Sequence, residues 1–82
     1  MSKYEDLIFE KIKNNIDQLE ELKDKVPTEV EVAYEALVSL NKNLLYMIEE
    51  SKTINNSDKK KISEAFEATS IFIRELSSLN NK

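Results

Sequence analysis

Apolar residues recur at three- and four-residue steps along three stretches of this chain, the spacing that lines up one face of an α-helix at about 100° per residue. The middle stretch, Thr28 to Lys52, is the most apolar. On a helical wheel Val30, Ala33, Tyr34, Leu37, Leu40, Leu44, Met47 and Ile48 form one stripe, and Ala36, Val38 and Leu45 widen it to roughly half the circumference. An ordinary surface helix needs about a third. The excess suits a helix that touches two neighbours, or one neighbour and a partner chain.

Before it, Ile8, Ile12, Ile16, Leu19, Leu22 and Val26 make a narrower stripe edged by Tyr4 and Phe9, with Leu7 off it. Asn15 falls in that seam, either as a partly exposed or locally hydrogen-bonded residue or as a polar contact that sets register. After it, Ile62, Ala65, Phe66, Thr69, Phe72, Ile73, Leu76 and Leu79 make a third stripe, with Ile71 on the opposite side.

Punctuation between the stripes is consistent with this division. Ser2-Lys3-Tyr4-Glu5 and Thr28-Glu29-Val30-Glu31 both fit capping boxes, in which a hydroxyl and a carboxylate satisfy open N–H groups at a helix start. Pro27 disfavours helical geometry at Val26, donates no hydrogen bond of its own, and is expected to pack on Val32 as a hydrophobic staple. Thr53 to Ser57 reads as a polar turn, with an Asn in the left-handed conformation that follows many helices and Ser57 as the next N-cap.

The sequence therefore predicts an all-α, up-down-up three-helix bundle filling residues 1–82 as one domain, with helices at about 3–25, 28–52 and 58–79. The breadth of the second stripe leaves a second arrangement open, in which the core is completed or extended by oligomerisation.

Composition removes much of the familiar chemistry. The 82 residues contain no Cys, His or Gly. Disulfides, thiolate nucleophiles, imidazole catalysis and His- or Cys-based metal sites go with the first two, and phosphate-cradling glycine loops with the third. No cofactor, no metal and no enzymatic activity are expected. Charged residues at 34% against 40% apolar describe a folded, heavily charged protein rather than a disordered one.

No run approaches the 18 apolar residues of a membrane span and the start lacks a signal-peptide core, so a cytoplasmic protein is expected. A net charge of −4 argues against nucleic-acid binding, which relies on basic patches. The abundance of Lys, Asn and Ile suggests an AT-rich bacterial or phage source.

Three surface features stand out. Lys59-Lys60-Lys61 opens the third helix, where positive charge opposes the helix dipole. In an up-down-up bundle Lys3, Tyr4 and Lys52 share that pole, making a candidate anion site for a nucleotide or other phosphorylated small ligand, with Tyr4 placed to stack on a base. Leu7, Val32, Tyr46 and Ile71 project from the stripes, and with Val38 and Leu45 they are the candidate surface for a protein partner or for a homo-oligomer. Glu20, Glu21, Asp24, Glu29, Glu31 and Glu35 form an acidic pole, expected to be a solvated face.

The function these features favour is a small non-enzymatic binding or inhibitor protein acting by stoichiometric protein–protein contact, of the immunity or phage counter-defence type. The alternatives are an oligomeric sponge for a phosphorylated small molecule or cyclic nucleotide at the lysine pole, and a structural subunit of a helical assembly. In size, class and composition the chain is similar to the small helical immunity proteins of bacteriocin producers and to small phage counter-defence proteins. That likeness carries no functional position onto this sequence.

Overall fold

The computed structural model describes residues 3–50 and 54–80, the side chain of Asn80 excepted. Three helices, α1 (Lys3–Glu21), α2 (Glu31–Glu50) and α3 (Asn56–Asn80), pack against one another as an all-α bundle, with α1 and α2 the most closely paired. The bundle measures 42 × 20 × 17 Å. Ser2 of the first expected capping box, and Lys52 and Thr53 beyond α2, lie outside the described residues.

The stripes set the helices, but their ends are drawn by backbone hydrogen bonds. The Leu22 N–H is shared between the carbonyls of Gln18 (3.3 Å) and Leu19 (3.1 Å), so α1 tightens at Glu21 into a single 3₁₀ turn, Lys23–Lys25. That is four residues short of the expected end. Val26 is then extended (φ −80°, ψ 120°), as the residue before a proline must be.

A second 3₁₀ turn, Thr28–Val30, is closed by Val30 N–H to Pro27 O (3.0 Å) and Glu31 N–H to Thr28 O, so α2 starts three residues later than its capping-box pattern implied. Val32 is 82% exposed and forms no staple with Pro27. Sequence pattern marks where a helix-like turn begins, but whether it closes on three or four residues depends on how the chain arrives from Pro27.

At the other connection Asn55, not Ser57, is the cap. Its Oδ1 accepts the Asp58 N–H (2.8 Å) and its carbonyl accepts the Lys59 N–H (3.0 Å), which starts α3 two residues early. Asn and Ser are near-equal N-caps, and the earlier one wins because Ile54 beside it is pulled into the core, 4% exposed. No described residue has positive φ, so neither described Asn of this connection supplies the expected left-handed turn.

The main core lies toward this end of the bundle. Ile8, Ile12 and Ile16 of α1, Leu44 and Ile48 of α2, Ile54, and Ile62 of α3 form one buried cluster, with Tyr4, Phe9, Leu45, Met47 and Ala65 packed on its margin. Each fully buried aliphatic side chain here stabilises the fold by about 1.5–3 kcal/mol relative to exposure. Leu19, Tyr34 and Leu76 are buried separately, further along the bundle.

A polar layer stands between the two groups. Asn41 is fully buried and its Nδ2 donates to Leu37 O (2.7 Å) and to Thr69 Oγ1 (3.0 Å), while the equally buried Thr69 hydroxyl donates to Ala65 O (2.8 Å). On α1, Asn15 is buried as well. Two buried amide atoms, Asn15 Nδ2 and Asn41 Oδ1, have no hydrogen-bond partner. The Asn15 seam position is thus buried rather than partly exposed, and its donor is unsatisfied.

The α2 stripe is correspondingly displaced from the expected one. Tyr34, Leu44 and Ile48 are buried and Val30, Leu37 and Met47 half-buried, but Ala33 and Leu40 are exposed, and Asn41 occupies the centre. In α3 Leu79 is exposed rather than buried.

Candidate interaction surfaces

Four cross-helix contacts fix which flank of each helix meets which neighbour. Lys59 Nζ lies 4.8 Å over the Tyr4 ring and Lys11 Nζ 5.6 Å over the Phe66 ring, which joins α1 to the Lys59–Phe66 flank of α3. The Tyr34 hydroxyl donates to Leu19 O at 2.6 Å, joining α1 to α2, and Asn41 joins α2 to Thr69 of α3. Three outer grooves follow, and they differ in chemistry.

The α1–α2 groove is charged. Near the far end of the bundle it opens into a crevice of about 370 Å³ lined by Glu20, Lys23, Tyr34, Glu35, Val38 and Lys42. A smaller one of about 220 Å³ adjoins it, reaching Asp24, Val26 and Glu31. Four members of the expected acidic pole (Glu20, Asp24, Glu31 and Glu35) therefore do meet here, but Lys23 and Lys42 stand among them. Among the described residues no group of three or more carboxylates is placed to hold a metal ion. Burial raises the Tyr34 pKa above 10.0, and the neighbouring carboxylates of Glu20 and Asp24 raise it further, because each opposes a phenolate.

Within the lysine pole the three consecutive lysines diverge. Consecutive helix residues point about 100° apart, so Lys59, Lys60 and Lys61 face three directions. Lys59 is half-buried over Tyr4, whose ring is thereby covered on one side, while Lys60, Lys61 and Lys3 are exposed and Lys52 is outside the described residues. The Asp58 N–H at the α3 N-terminus is already taken by Asn55. Burial, and then the Glu5 carboxylate, raise the Tyr4 pKa.

The candidate partner residues divide. Leu7, Val32, Tyr46 and Ile71 are exposed, at 58, 82, 66 and 40%. Val38 and Leu45 are half-buried, Leu45 against the main core and Val38 in the charged crevice, because both fall on the flank of α2 that α1 covers. Helical spacing keeps Leu7 on the α3 side of α1 and Tyr46 outward on α2, so the exposed residues do not form one patch.

What the expected surface missed is the groove between α2 and α3. Leu40 is 39% and Leu79 55% exposed, Phe72 and Met47 are half-buried, and Ala36 and Ala68 are exposed. From Ala33 to Met47 the α3-facing flank of α2 carries no charge. The available signal was the breadth of the α2 arc, which exceeds what two neighbours cover.

Compared with known proteins, the chain matches no family model, no curated protein and no solved structure. No helix among the described residues is long and apolar enough to cross a membrane.

Proposed function

We propose that this chain is a non-enzymatic binding protein that acts by stoichiometric contact with another protein, as an inhibitor, immunity factor or counter-defence protein of a bacterial or phage cytoplasm does. The observation that carries this reading is the apolar surface that α2 leaves uncovered. Ala33, Ala36 and Leu40 of its arc, and Val32 and Tyr46 off the arc, stay exposed although α1 and α3 both pack on this helix. Apolar surface left in this way on a small charged protein usually marks an interface.

The lysine pole lends no comparable support to a nucleotide sponge, since its cations diverge and one lies over Tyr4. The test is light scattering on the pure chain together with affinity capture from lysate of its own source cells. One complex of integral stoichiometry is expected, weakened by Val32→Ser and Tyr46→Ser at unchanged helical content. A monomer at high concentration that retains no protein would overturn the reading.

A further inference from the structure

The buried side chains of α3 among the described residues, Ile62, Thr69 and Leu76, stand seven residues apart, and they divide the helix into unequal halves. The half before Thr69 is anchored. Ile62 belongs to the main core, Ala65 packs on its margin, Lys59 lies over Tyr4, and Phe66 lies under Lys11. Beyond Thr69, Leu76 is the one buried side chain among the described residues; Phe72 and Ile73 are half-buried, and Ile71 and Leu79 are exposed.

Local sequence does little to make up the difference. Seven of the eleven residues from Ser70 to Asn80 are Ser, Ile, Phe or Asn, which rank below Leu, Arg and Glu as helix formers, and the last turn of α3 carries no basic residue to offset the dipole. The flanks that α3 packs on hold the two unsatisfied amide atoms. Asn41 meets Thr69 through Nδ2 and leaves Oδ1 without a partner. Asn15, whose Nδ2 is unpartnered, follows Lys11 by one turn, on the flank of α1 that the Lys11–Phe66 contact turns toward α3.

We propose that residues 70–80 are a latch that lifts from the α1–α2 hairpin as one unit, with Leu76 as its clasp and the Asn41–Thr69 contact as the point where opening stops. Withdrawing Leu76 frees the whole segment at once, because no other described side chain between Thr69 and the helix end is buried. Lifting admits water to the two amide atoms, which offsets part of the apolar surface lost. It also bares the α3-facing flank of α2 around half-buried Leu37, one turn from Asn41. The latch goes beyond the binding function above and does not depend on it.

Residue-resolved hydrogen exchange of the full chain in increasing urea tests it. The amides from Phe72 to Leu76 should share one opening, be at least about tenfold less protected than those from Ile12 to Leu19 and from Leu44 to Ile48, and respond weakly to urea, since little surface is exposed. Ile48→Val, which weakens the main core, should speed exchange in that core by about three- to tenfold and leave Phe72 to Leu76 unchanged. Asn41→Leu should slow Phe72 to Leu76 by about tenfold, because closing then no longer buries an unpartnered oxygen. Protection of Phe72 to Leu76 equal to that of the core overturns the proposal, as does a shared response to Ile48→Val. Protection that fades residue by residue from Thr69 to the helix end would show simple fraying and overturn it too, and so would exchange indifferent to Asn41→Leu.

Discussion

Replacing Asn41 with Leu should make the protein more stable, against the usual direction for a change at a fully buried residue. Asn41 Nδ2 makes two hydrogen bonds, and removing them forfeits about 0.5–1.5 kcal/mol each. Neither acceptor is stranded. Leu37 O keeps its place in the α2 backbone ladder, and the Thr69 hydroxyl still donates to Ala65 O.

Against that loss stand two gains. The buried, unpartnered Oδ1 of Asn41 disappears, worth about 1–3 kcal/mol, and a leucine side chain of similar size is buried in its place, worth about 1.5–3 kcal/mol. Shape mismatch takes back about 1 kcal/mol or more. The balance is a gain of about 1–2 kcal/mol, or a melting temperature higher by roughly 4–8 °C per kcal/mol in a domain of this size.

Urea unfolding followed by circular dichroism measures it, with an unchanged slope as the sign that only stability moved. A loss greater than about 1 kcal/mol would refute the reasoning, because it would mean that Oδ1 has a partner in solution. A double-mutant cycle with Thr69→Val should give a coupling of about 0.5–1.5 kcal/mol for the 3.0 Å bond between them.

Other expectations are simpler. Tyr34→Phe should lower stability by about 0.5–1.5 kcal/mol near neutral pH, since it removes the 2.6 Å bond to Leu19 O. The Tyr34 pKa is raised in the folded state, so its contribution is fully present below pH 10.0 and is lost as pH rises through the folded value; the wild type should therefore destabilise more steeply than the variant in alkaline unfolding curves. Asn55→Ala should cost about 1 kcal/mol in chemical denaturation, whereas Ser57→Ala should be nearly silent, because the capping bond belongs to Asn55. Ile48→Ala should cost about 2–5 kcal/mol by the same measurement, for Ile48 is wholly enclosed in the main core.

Three helices and their antiparallel order were legible from the stripes and from Pro27, because a 3.6-residue period and a proline act locally. Which part of a wide stripe goes inside is not a local matter. On α2 the apolar arc runs over half the wheel, and the neighbours decide that Asn41 is enclosed while Leu40, one residue earlier and about 100° away, is left at the surface.

Ile54 shows the same limit, since a polar neighbourhood hid a residue that tertiary packing seals into the core. Of the candidate surfaces, the exposed set Leu7, Val32, Tyr46 and Ile71 could be read from residues that miss every stripe. The surface between α2 and α3 was signalled only by the breadth of the α2 arc, and which of its residues stay uncovered depends on how α3 sits beside α2. Within the lysine pole, bundle topology told which residues share an end, but not that Lys59 would lie over Tyr4.

The backbone that carries all this contains no glycine, and every described residue sits at negative φ. Such a chain asks no position for a conformation that only one or two amino acids can supply. Its fold is written in volume and polarity alone, properties that many residue types share. Provided the buried volume and the apolar pattern are kept, most side chains can be exchanged for others of similar size. Two copies of this architecture can drift until little of either sequence remains in the other, with the three helices still standing where they were.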